Sequence, residues 1–321
     1  MLFFVLSGFL ITYLLLAEEN QSSTISIKKF YIRRMLRIWP LYLLIVVLSL
    51  FVFPHFSLLT WPGYGIEVVQ ANVWWKLLLY LFFFANLVLA FLGIVPYASQ
   101  AWSIGTEEQF YLVWPVIVKH IKKYRLWLMV LIVVMYSLVR IYLASSLSDG
   151  LPYKGILRAF WGGFTIDCMA IGGFFGVMLF HKHALLKYFR NNVAFYLAIV
   201  GVIAGWSSGV YIPIVGSIFY STLYAVIILN FASGERLGIN LENSVLSYLG
   251  NISYGLYMLH PIGIALAIRL TMYFDMVHIW TIYPLTILFT ISLAAFSYQY
   301  YERFFLKFKN RFSVVKSGAR H

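Results

Sequence analysis

Two adjacent carboxylates, Glu107 and Glu108, lie in the stretch WSIGTEEQFYLVWP, close to apolar segments long enough to cross a bilayer. A carboxylate at membrane depth costs at least ~2.5 kcal/mol, so it is kept where it faces a polar cavity, meets a cation or does chemistry. The stretch FYIRRMLRIWP offers three cationic partners: Arg33, Arg34 and Arg37. The sequence therefore predicts a buried ion pair or a reactive site around Glu107.

The residues around Glu107 leave several roles open. Glu107 can act as a general base, orient a histidine, or pair with an arginine to hold helices together. Ser103, four residues earlier, falls on the same helical face. Its hydroxyl is better suited to capping or bonding that helix than to forming an acyl-serine, because no Gly-x-Ser-x-Gly elbow surrounds it.

His260 is the strongest candidate for a second base. It follows a long apolar run and directly precedes Pro261. A proline frees a backbone carbonyl one turn back and kinks the helix, which makes room for a polar site. Imidazole titrates near neutral pH and suits general base catalysis; a hydrogen-bonded histidine at a kink explains the same pattern.

The sequence predicts no metal site. His181 and His183 form a His-x-His pair without acidic or cysteine companions, which argues against zinc. The single cysteine, Cys168, lies in an apolar run and excludes an internal disulfide. We interpret it as a small core residue.

The amino-acid composition indicates that this chain lies in a membrane. With 62% hydrophobic and 11% charged residues and a mean hydropathy of +0.84, its 321 residues cannot form a water-soluble domain. Apolar runs such as 126–143 and 279–300 approach the ~20 residues of a spanning helix, whereas barrel strands would alternate over ~10. We therefore predict an all-α, polytopic transmembrane helix bundle with about nine to ten hydrophobic segments. The candidate segments are 1–17, 38–54, 74–95, 101–119, 126–147, 158–180, 192–210, 212–232, 248–271 and 279–302.

The net charge of +13 follows from membrane topology rather than from nucleic-acid binding, because the basic residues cluster in short loops. The basic clusters are 28–37, 119–125, 182–190 and 303–320. All four lie on the cytoplasmic side if only one crossing occurs between residues 56 and 118. This predicts about nine crossings, a re-entrant or interfacial segment near 74–100, an outer N-terminus and a further helix upstream. We expect one membrane domain over 1–302 and a short basic cytoplasmic tail over 303–321.

Small and aromatic residues are also typical of a packed bundle of membrane helices. Five glycines predict close helix contacts: Gly162, Gly163, Gly172, Gly173 and Gly176. Aromatic residues make up 19% of the chain, which is typical of interfacial belts. Four rings in the long outer segment either anchor the bundle or stack on a glycan: Trp61, Tyr64, Trp74 and Trp75.

Five sequence blocks, in order and spaced across nearly the whole chain, carry a family resemblance. They are FFVLSGFLIT, RRMLRIWPLYLL, WSIGTEEQFYLVWP, ISYGLYMLHP and YERFFL. The chain resembles the acyltransferase-3 family of membrane O-acyltransferases. The resemblance implies a bacterial inner-membrane, multi-pass enzyme that transfers groups other than aminoacyl groups. It takes an acyl group from acyl-CoA, often acetyl-CoA, as a co-substrate, with no permanently bound cofactor. The acceptor is a hydroxyl of a cell-surface or exported carbohydrate such as lipopolysaccharide or exopolysaccharide.

The resemblance also assigns residues. The family's Arg-x-x-Arg pair falls on Arg34 and Arg37, its Ser-x-x-x-Glu element on Ser103 and Glu107, and its later histidine on His260. Acyl transfer to an alcohol needs a base, donors for the developing oxyanion and a cationic seat for the CoA phosphates. Arginines at i and i+3 lie on one helical face and can grip phosphate with their guanidinium forks, although flanking charges at a membrane border look the same.

The chain departs from the family pattern in two places. The family's first helix, with a basic residue and a histidine, has no counterpart, and the terminal Glu-Arg-Pro becomes Glu302-Arg303-Phe304. Two other hypotheses therefore stand beside the O-acyltransferase. The chain is an inactive or partner-dependent homologue, or it is a transporter or flippase for a lipid-linked glycan. The acyl group, the acceptor and the oligomeric state are not defined by the sequence.

Overall fold

A computed structural model describes residues 1–209, 214–233 and 243–312. These residues form helices and no strand. The first helices are α1 (Leu2–Ser22), α2 (Ile27–Val47), α3 (Ile66–Gln70), α4 (Val73–Leu81), α5 (Ala85–Leu87), α6 (Ala101–His120), α7 (Arg125–Ala144) and α8 (Lys154–Gly163). The others are α9 (Ile166–Phe180), α10 (Leu186–Phe189), α11 (Asn192–Ser208), α12 (Val215–Ala232), α13 (Ser244–Tyr273), α14 (Ile279–Ser297) and α15 (Arg303–Lys309). The expected all-α membrane bundle is confirmed.

The number of hydrophobic segments is smaller than predicted. Within the described residues, seven helical segments are long and apolar enough to cross a membrane. They are Leu2–Ser22, Ile27–His55, Arg125–Ala144, Lys154–Phe180, Val215–Ala232, Ser244–Tyr273 and Ile279–Lys309. The apolar helix Asn192–Ser208 is shorter, with 17 residues. Of the expected basic tail over 303–321, residues 313–321 lie outside the described part of the chain.

The candidate segment 74–95 is not one straight helix. It is divided into α4, α5 and a π-helical turn over Val88–Leu92. Phe83 and Gly93 adopt positive φ angles of 61° and 82°, which interrupt a right-handed helix. At its start, the segment is tied to α3 by the buried Lys76, whose ammonium group donates to the carbonyls of Val68 at 3.2 Å and Val69 at 3.0 Å.

The chain forms two compact units. Among the described residues, unit 1 comprises 1–27, 106–209 and 214–233, and unit 2 comprises 28–105 and 243–312. The boundary falls within α6, so that this helix contributes its first turn to unit 2 and the rest to unit 1.

Glycines allow the central helix of unit 1 to pack closely. A Cβ at Gly172 of α9 would lie 1.9 Å from the carbonyl oxygen of Val5, and one at Gly176 would lie 2.8 Å from that of Phe9. In the same contact, a Cβ at Gly173 would lie 2.9 Å from Oγ1 of Thr12. Close helix contacts are therefore confirmed for these three glycines. The same prediction was wrong for Gly162, which has no atom within 4 Å of a Cβ position.

Charged side chains join one end of unit 1. Glu19 of α1 forms ion pairs with Lys122 at 2.7 Å and Arg125 at 2.6 Å. Arg125 also donates through Nε and Nη2 to the carbonyl of Val118, at 2.9 and 2.6 Å. Burial and the neighbouring Arg125 lower the pKa of His181, so its ring stays neutral at pH 7. These contacts tie α1, α6 and α7 together at the ends that carry the basic loops.

Tyrosine hydroxyls that donate to backbone carbonyls connect the helices of unit 2. Tyr254 of α13 donates to the carbonyl of Ile38 at 2.7 Å, and Tyr301 donates to that of Pro40 at 3.1 Å. Tyr42 of α2 donates to the carbonyl of Tyr80 at 2.9 Å. A hydrogen bond of this kind contributes more than its net ~1 kcal/mol when its loss would leave a buried group unsatisfied.

We predict that Gly172→Ala will destabilise the protein strongly, because the new methyl group would overlap the Val5 carbonyl and neither backbone can yield. Overpacking of a core typically costs ~1–3 kcal/mol, and contact with backbone raises that cost. Thermal unfolding in detergent measures the effect. Gly162→Ala is the matched control, since it adds a methyl group in open space and raises helix propensity by up to ~1 kcal/mol. Equal melting temperatures for the two variants would contradict the close crossing.

Candidate active site

His260 is held by a backbone carbonyl that Pro261 releases. Pro261 has no N–H, so the carbonyl of Tyr257, four residues earlier, lacks its helical donor. The Nδ1 atom of His260 lies 2.6 Å from this oxygen. A carbonyl only accepts hydrogen bonds, so Nδ1 carries the proton and Nε2 carries the lone pair in the neutral ring. The half-buried imidazole is therefore fixed in the tautomer that a general base requires.

Tyr257 connects this histidine to Ser103. Its ring centroid lies 5.8 Å from that of His260, and its hydroxyl donates to the carbonyl of Gln100 at 2.8 Å. Ser103 Oγ lies 2.5 Å from the same hydroxyl. The serine hydroxyl also lies 3.3 Å from the Gln100 carbonyl, so the two hydroxyls and this carbonyl form one hydrogen-bonded cluster. Gln100 also donates to the carbonyl of Met258 at 2.9 Å, which fixes the start of α6 on α13.

Four cations gather around the end of unit 2 where α2 and α15 meet. Lys309 lies within electrostatic range of Arg37, Arg34 and Arg33. Arg34 lies over the ring of Phe30 at 5.7 Å, and Arg33 donates to the carbonyl of Phe312 at 2.9 Å. We refer to Arg33, Arg34, Arg37 and Lys309 as the cation cluster. Side chains from α2 and α15 thus bring four basic groups into electrostatic range of one another at this end of unit 2.

One buried carboxylate adjoins the cation cluster. Glu302 is 6% exposed, accepts from Ser297 Oγ at 2.9 Å and lies within electrostatic range of Arg37. Its Oε1 would be 3.1 Å from a Cβ at Gly255 of α13, so the glycine makes room for it. Gly255 and His260 are five residues apart, or about 7.5 Å along the helix. The imidazole therefore lies between one and two helical turns along α13 from the carboxylate that pairs with Arg37.

Glu107 lies in unit 1. Its Oε2 accepts a hydrogen bond from Tyr111 one turn later at 3.1 Å, and the Tyr111 hydroxyl is in turn hydrogen-bonded to Ser7 of α1. Trp114, one turn further, donates to Thr12 Oγ1 at 2.9 Å. The carboxylate thus belongs to a polar seam between α6 and α1.

The structure brings together some predicted residues and adds others. Arg34 and Arg37 share the cation cluster, and Ser103 lies beside Tyr257 one turn before His260. Lys309 and Tyr257 were not singled out from the sequence, although both lie in or next to the blocks that carry the family resemblance. The described residues contain no group of three or more His, Cys, Asp or Glu side chains that could hold a metal ion.

These features describe a helical membrane bundle whose second unit carries a cluster of basic side chains and a hydrogen-bonded imidazole. The family model described as an acyltransferase domain matches residues 1–299. The chain belongs to this family, the acyltransferase-3 family, as its sequence blocks predicted.

Three curated proteins illustrate the similarity. A peptidoglycan O-acetyltransferase, OatA of Listeria monocytogenes, is 34% identical over 41% of this chain and 22% of its own length. YrhL of Bacillus subtilis, whose name provisionally assigns it as a peptidoglycan O-acetyltransferase, is 27% identical over 94% of this chain and 49% of its own length. The O-acetyltransferase OatA of Staphylococcus aureus is 32% identical over 36% of this chain and 19% of its own length. The chain therefore spans about half or less of these relatives. No solved structure matches it.

We predict that Ser103→Ala and Tyr257→Phe will be energetically coupled, because the two hydroxyls share one short hydrogen bond. A double-mutant cycle on thermal stability should give a coupling free energy within the ~0.5–3 kcal/mol typical of contacting residues. Ser103→Ala combined with Tyr42→Phe is the control pair, since Tyr42 donates to Tyr80 instead. Additive effects in the first cycle would show that the hydrogen bond contributes nothing to stability.

Proposed function

We propose that this protein is a membrane O-acyltransferase that moves an acyl group, preferably acetyl, from acyl-CoA to a hydroxyl of a carbohydrate. One observation carries the proposal: Glu302, which lies within electrostatic range of Arg37 of the cation cluster, faces Gly255 on α13, five residues before an imidazole whose tautomer is fixed. The names of the relatives, which refer to peptidoglycan O-acetylation, support a glycan as the acceptor. The membrane would be the bacterial inner membrane, with the C-terminus in the cytoplasm.

The cation cluster is the proposed seat of the CoA phosphates. Arginine guanidinium groups bind phosphate oxygens through paired N–H donors, and Lys309 adds a point charge. Glu302 orients Arg37 and thereby restricts which phosphate oxygen this arginine contacts. Binding of the nucleotide part of acyl-CoA, which is remote from the reacting atoms, thereby positions the thioester for attack.

His260 is the proposed general base. Its Nε2 takes the proton of the acceptor hydroxyl while the oxygen attacks the thioester carbonyl, and the C–S bond then breaks to release the CoA thiolate. The proton held on Nε2 leaves with that thiolate. The bond from Nδ1–H to the Tyr257 carbonyl stabilises the imidazolium that forms during the attack. For Glu107 the proposed roles are those of a base, an orienting residue or an ion-pair partner. For Ser103 they are a hydroxyl that caps or bonds its helix, in preference to an acyl-serine nucleophile.

We predict that Arg34→Ala will raise the KM for acyl-CoA by roughly tenfold to a hundredfold, because a charge-assisted hydrogen bond contributes ~1.5–3 kcal/mol. Arg34 is preferable to Arg37 because removing Arg37 also deprives the buried Glu302 of its cation. Transfer of labelled acetyl groups to peptidoglycan glycan strands by the protein in liposomes measures the change. Lipopolysaccharide and exopolysaccharide serve as parallel acceptors.

Arg303→Ala is the matched control for this experiment. Arg303 is exposed and its guanidinium contacts Gln299 at 3.3 Å. An unchanged KM in Arg34→Ala, at the same protein level, would remove the CoA-seat role from this arginine.

A second variant separates chemistry from structure at His260. Asparagine can place an N–H near the position of Nδ1 but has no counterpart of Nε2. We predict that His260→Asn will keep the bond to the Tyr257 carbonyl and the wild-type melting temperature. Its kcat should fall by ~10²–10⁴-fold, as expected when a general base is lost. Near-wild-type kcat in a stable His260→Asn protein would show that His260 only supports the helix.

A further inference from the structure

A cation without a counter-ion lies near the end of α13. Arg269 is half-buried and lies four residues before the last residue of this helix, Tyr273. Its Nη2 atom donates to the carbonyls of Thr60 at 2.8 Å and Ser57 at 3.4 Å. Within the described part of the chain, no carboxylate forms an ion pair with it. A half-buried charge that meets only carbonyl dipoles is costly, so an anion is favoured at this position.

The guanidinium group of Arg269 is fixed in orientation but not saturated. Both of its hydrogen bonds leave from Nη2, and no described residue accepts one from Nε or Nη1. Neither of these two atoms is fully buried. N–H groups therefore remain available to an oxyanion, the acceptor with which arginine forms its strongest hydrogen bonds.

The position of Arg269 along α13 separates it from the cation cluster. Glu302, which lies in electrostatic range of Arg37, faces Gly255 of α13. His260 follows Gly255 by five residues, and Arg269 follows His260 by nine, or roughly 13 Å of helix. The positive-inside rule accounts for basic loops beside the cation cluster, but it gives no reason for a cation towards the other end of the helix.

A rigid turn carries two aromatic rings directly after Thr60. Residues 61–64 read WPGY, with Pro62 before Gly63, whose φ angle is 78°. The Tyr64 N–H donates to the Trp61 carbonyl at 3.0 Å, which completes the pattern of a type II β-turn. The rings of Trp61 and Tyr64 are half-buried and meet edge to face, with their centroids 6.4 Å apart. We refer to residues 61–64 as the aromatic turn.

One side of the aromatic turn is packed against the protein. Tyr97 is 2% exposed, and its ring contacts those of Trp61 at 5.7 Å and Phe53 at 5.2 Å. Its hydroxyl donates to the carbonyl of Leu59 at 2.7 Å, and it lies within electrostatic range of Arg269. The space left between these groups is a cavity of about 10 Å³, which holds about one water molecule and no sugar. A larger ligand must therefore bind on the open side of the turn.

We propose that Arg269 and Trp61 bind the acceptor glycan. The guanidinium group holds an oxyanion of the glycan, either a carboxylate or a phosphate, and the indole ring packs on the apolar face of a sugar. This role rests on the proposed function, which requires a glycan to approach His260. Because Gly255, His260 and Arg269 follow one another along α13, acyl-CoA and the glycan approach the imidazole from opposite ends.

Binding of one glycan with and without its charge tests this role. Peptidoglycan glycan strands freed of their peptides carry carboxylates, which carbodiimide coupling to methylamine converts into neutral amides. The full-length protein in phosphatidylcholine nanodiscs is titrated with both forms, fluorescently labelled, in the absence of acyl-CoA. We expect the charged strands to bind roughly tenfold to a hundredfold more tightly, and Arg269→Gln to remove this difference. Equal affinities in the wild-type protein, as expected if a phospholipid phosphate occupies Arg269, would overturn the proposal.

The titration does not depend on transfer. If the proposed function alone is wrong, transfer is absent while the preference for charged strands persists. Arg158→Gln is the matched control for the loss of one positive charge, since Arg158 is exposed on α8 of unit 1, and it should keep the preference. A preference that survives in a stable Arg269→Gln protein would also overturn the proposal.

A second variant tests the aromatic turn. Trp61→Leu should weaken the binding of both strands severalfold and leave the ratio of their affinities unchanged, because packing on a ring does not depend on the carboxylate. If Arg269→Gln does not fold, charged strands with a photoreactive label give the location on the wild-type protein. Adducts on residues 57–64 and on α13 around Arg269 support the proposal, and adducts elsewhere overturn it.

Discussion

The need to satisfy backbone carbonyls in an apolar surrounding is the constraint on which unit 2 depends. Water is not available inside a bilayer to hydrogen-bond a carbonyl that leaves the helical pattern, so side chains must supply the donors. Tyr254, Tyr301 and Tyr42 add hydroxyl donors to carbonyls of neighbouring segments, and Gln100 adds an amide donor between the start of α6 and α13. The same requirement explains His260. Pro261 creates an orphan carbonyl within one helix, and the imidazole that meets it is thereby locked in orientation and tautomer. The hydrogen bond that satisfies the Tyr257 carbonyl therefore also preorganises the imidazole that we propose as the base.

Unit 1 is built on a different principle. Its central helix α9 approaches α1 so closely that the backbone of α1 lies where side chains of α9 would otherwise be. Only glycine permits this contact. Polar groups are then confined to the margins of that contact. The seam of Ser7, Tyr111 and Glu107 follows α1 and α6, whereas Asp167, Arg140 and Ser217 lie at one end of α7, α9 and α12. Glu107 and Asp167 each accept a hydrogen bond from a hydroxyl group, of Tyr111 and Ser217 respectively.

The sequence predicted the helical class, the membrane environment and the family because these depend on composition, run length and local blocks. It also predicted the role of Pro261 in freeing a carbonyl, since the loss of an N–H is a local property. A hydrogen-bonded histidine at the kink was one of the two interpretations of His260, because that bond is also local to one helix. The sequence did not predict that Lys309 would join Arg34 and Arg37, because this depends on how distant helices pack. The segment 74–95 was a candidate span, with a re-entrant or interfacial arrangement preferred, but hydropathy does not register the positive φ angles at Phe83 and Gly93 that divide it. Asp167 was missed because a single acid in an apolar run gives no signal of its partners on other helices.

The cation cluster brings like charges together near a membrane border, where they repel one another. Glu302 is a carboxylate within electrostatic range of Arg37 and offsets part of this repulsion. The positive-inside rule accounts for basic residues in flanking loops, but it requires neither that residues from α2 and α15 converge nor that a glycine in α13 make room for the balancing carboxylate. Convergence is favourable when a multiply charged anion occupies the cluster, because one ligand then relieves several repulsions at once. Acyl-CoA, with its several phosphates, meets this condition, whereas a single chloride or carboxylate would leave most of the repulsion in place.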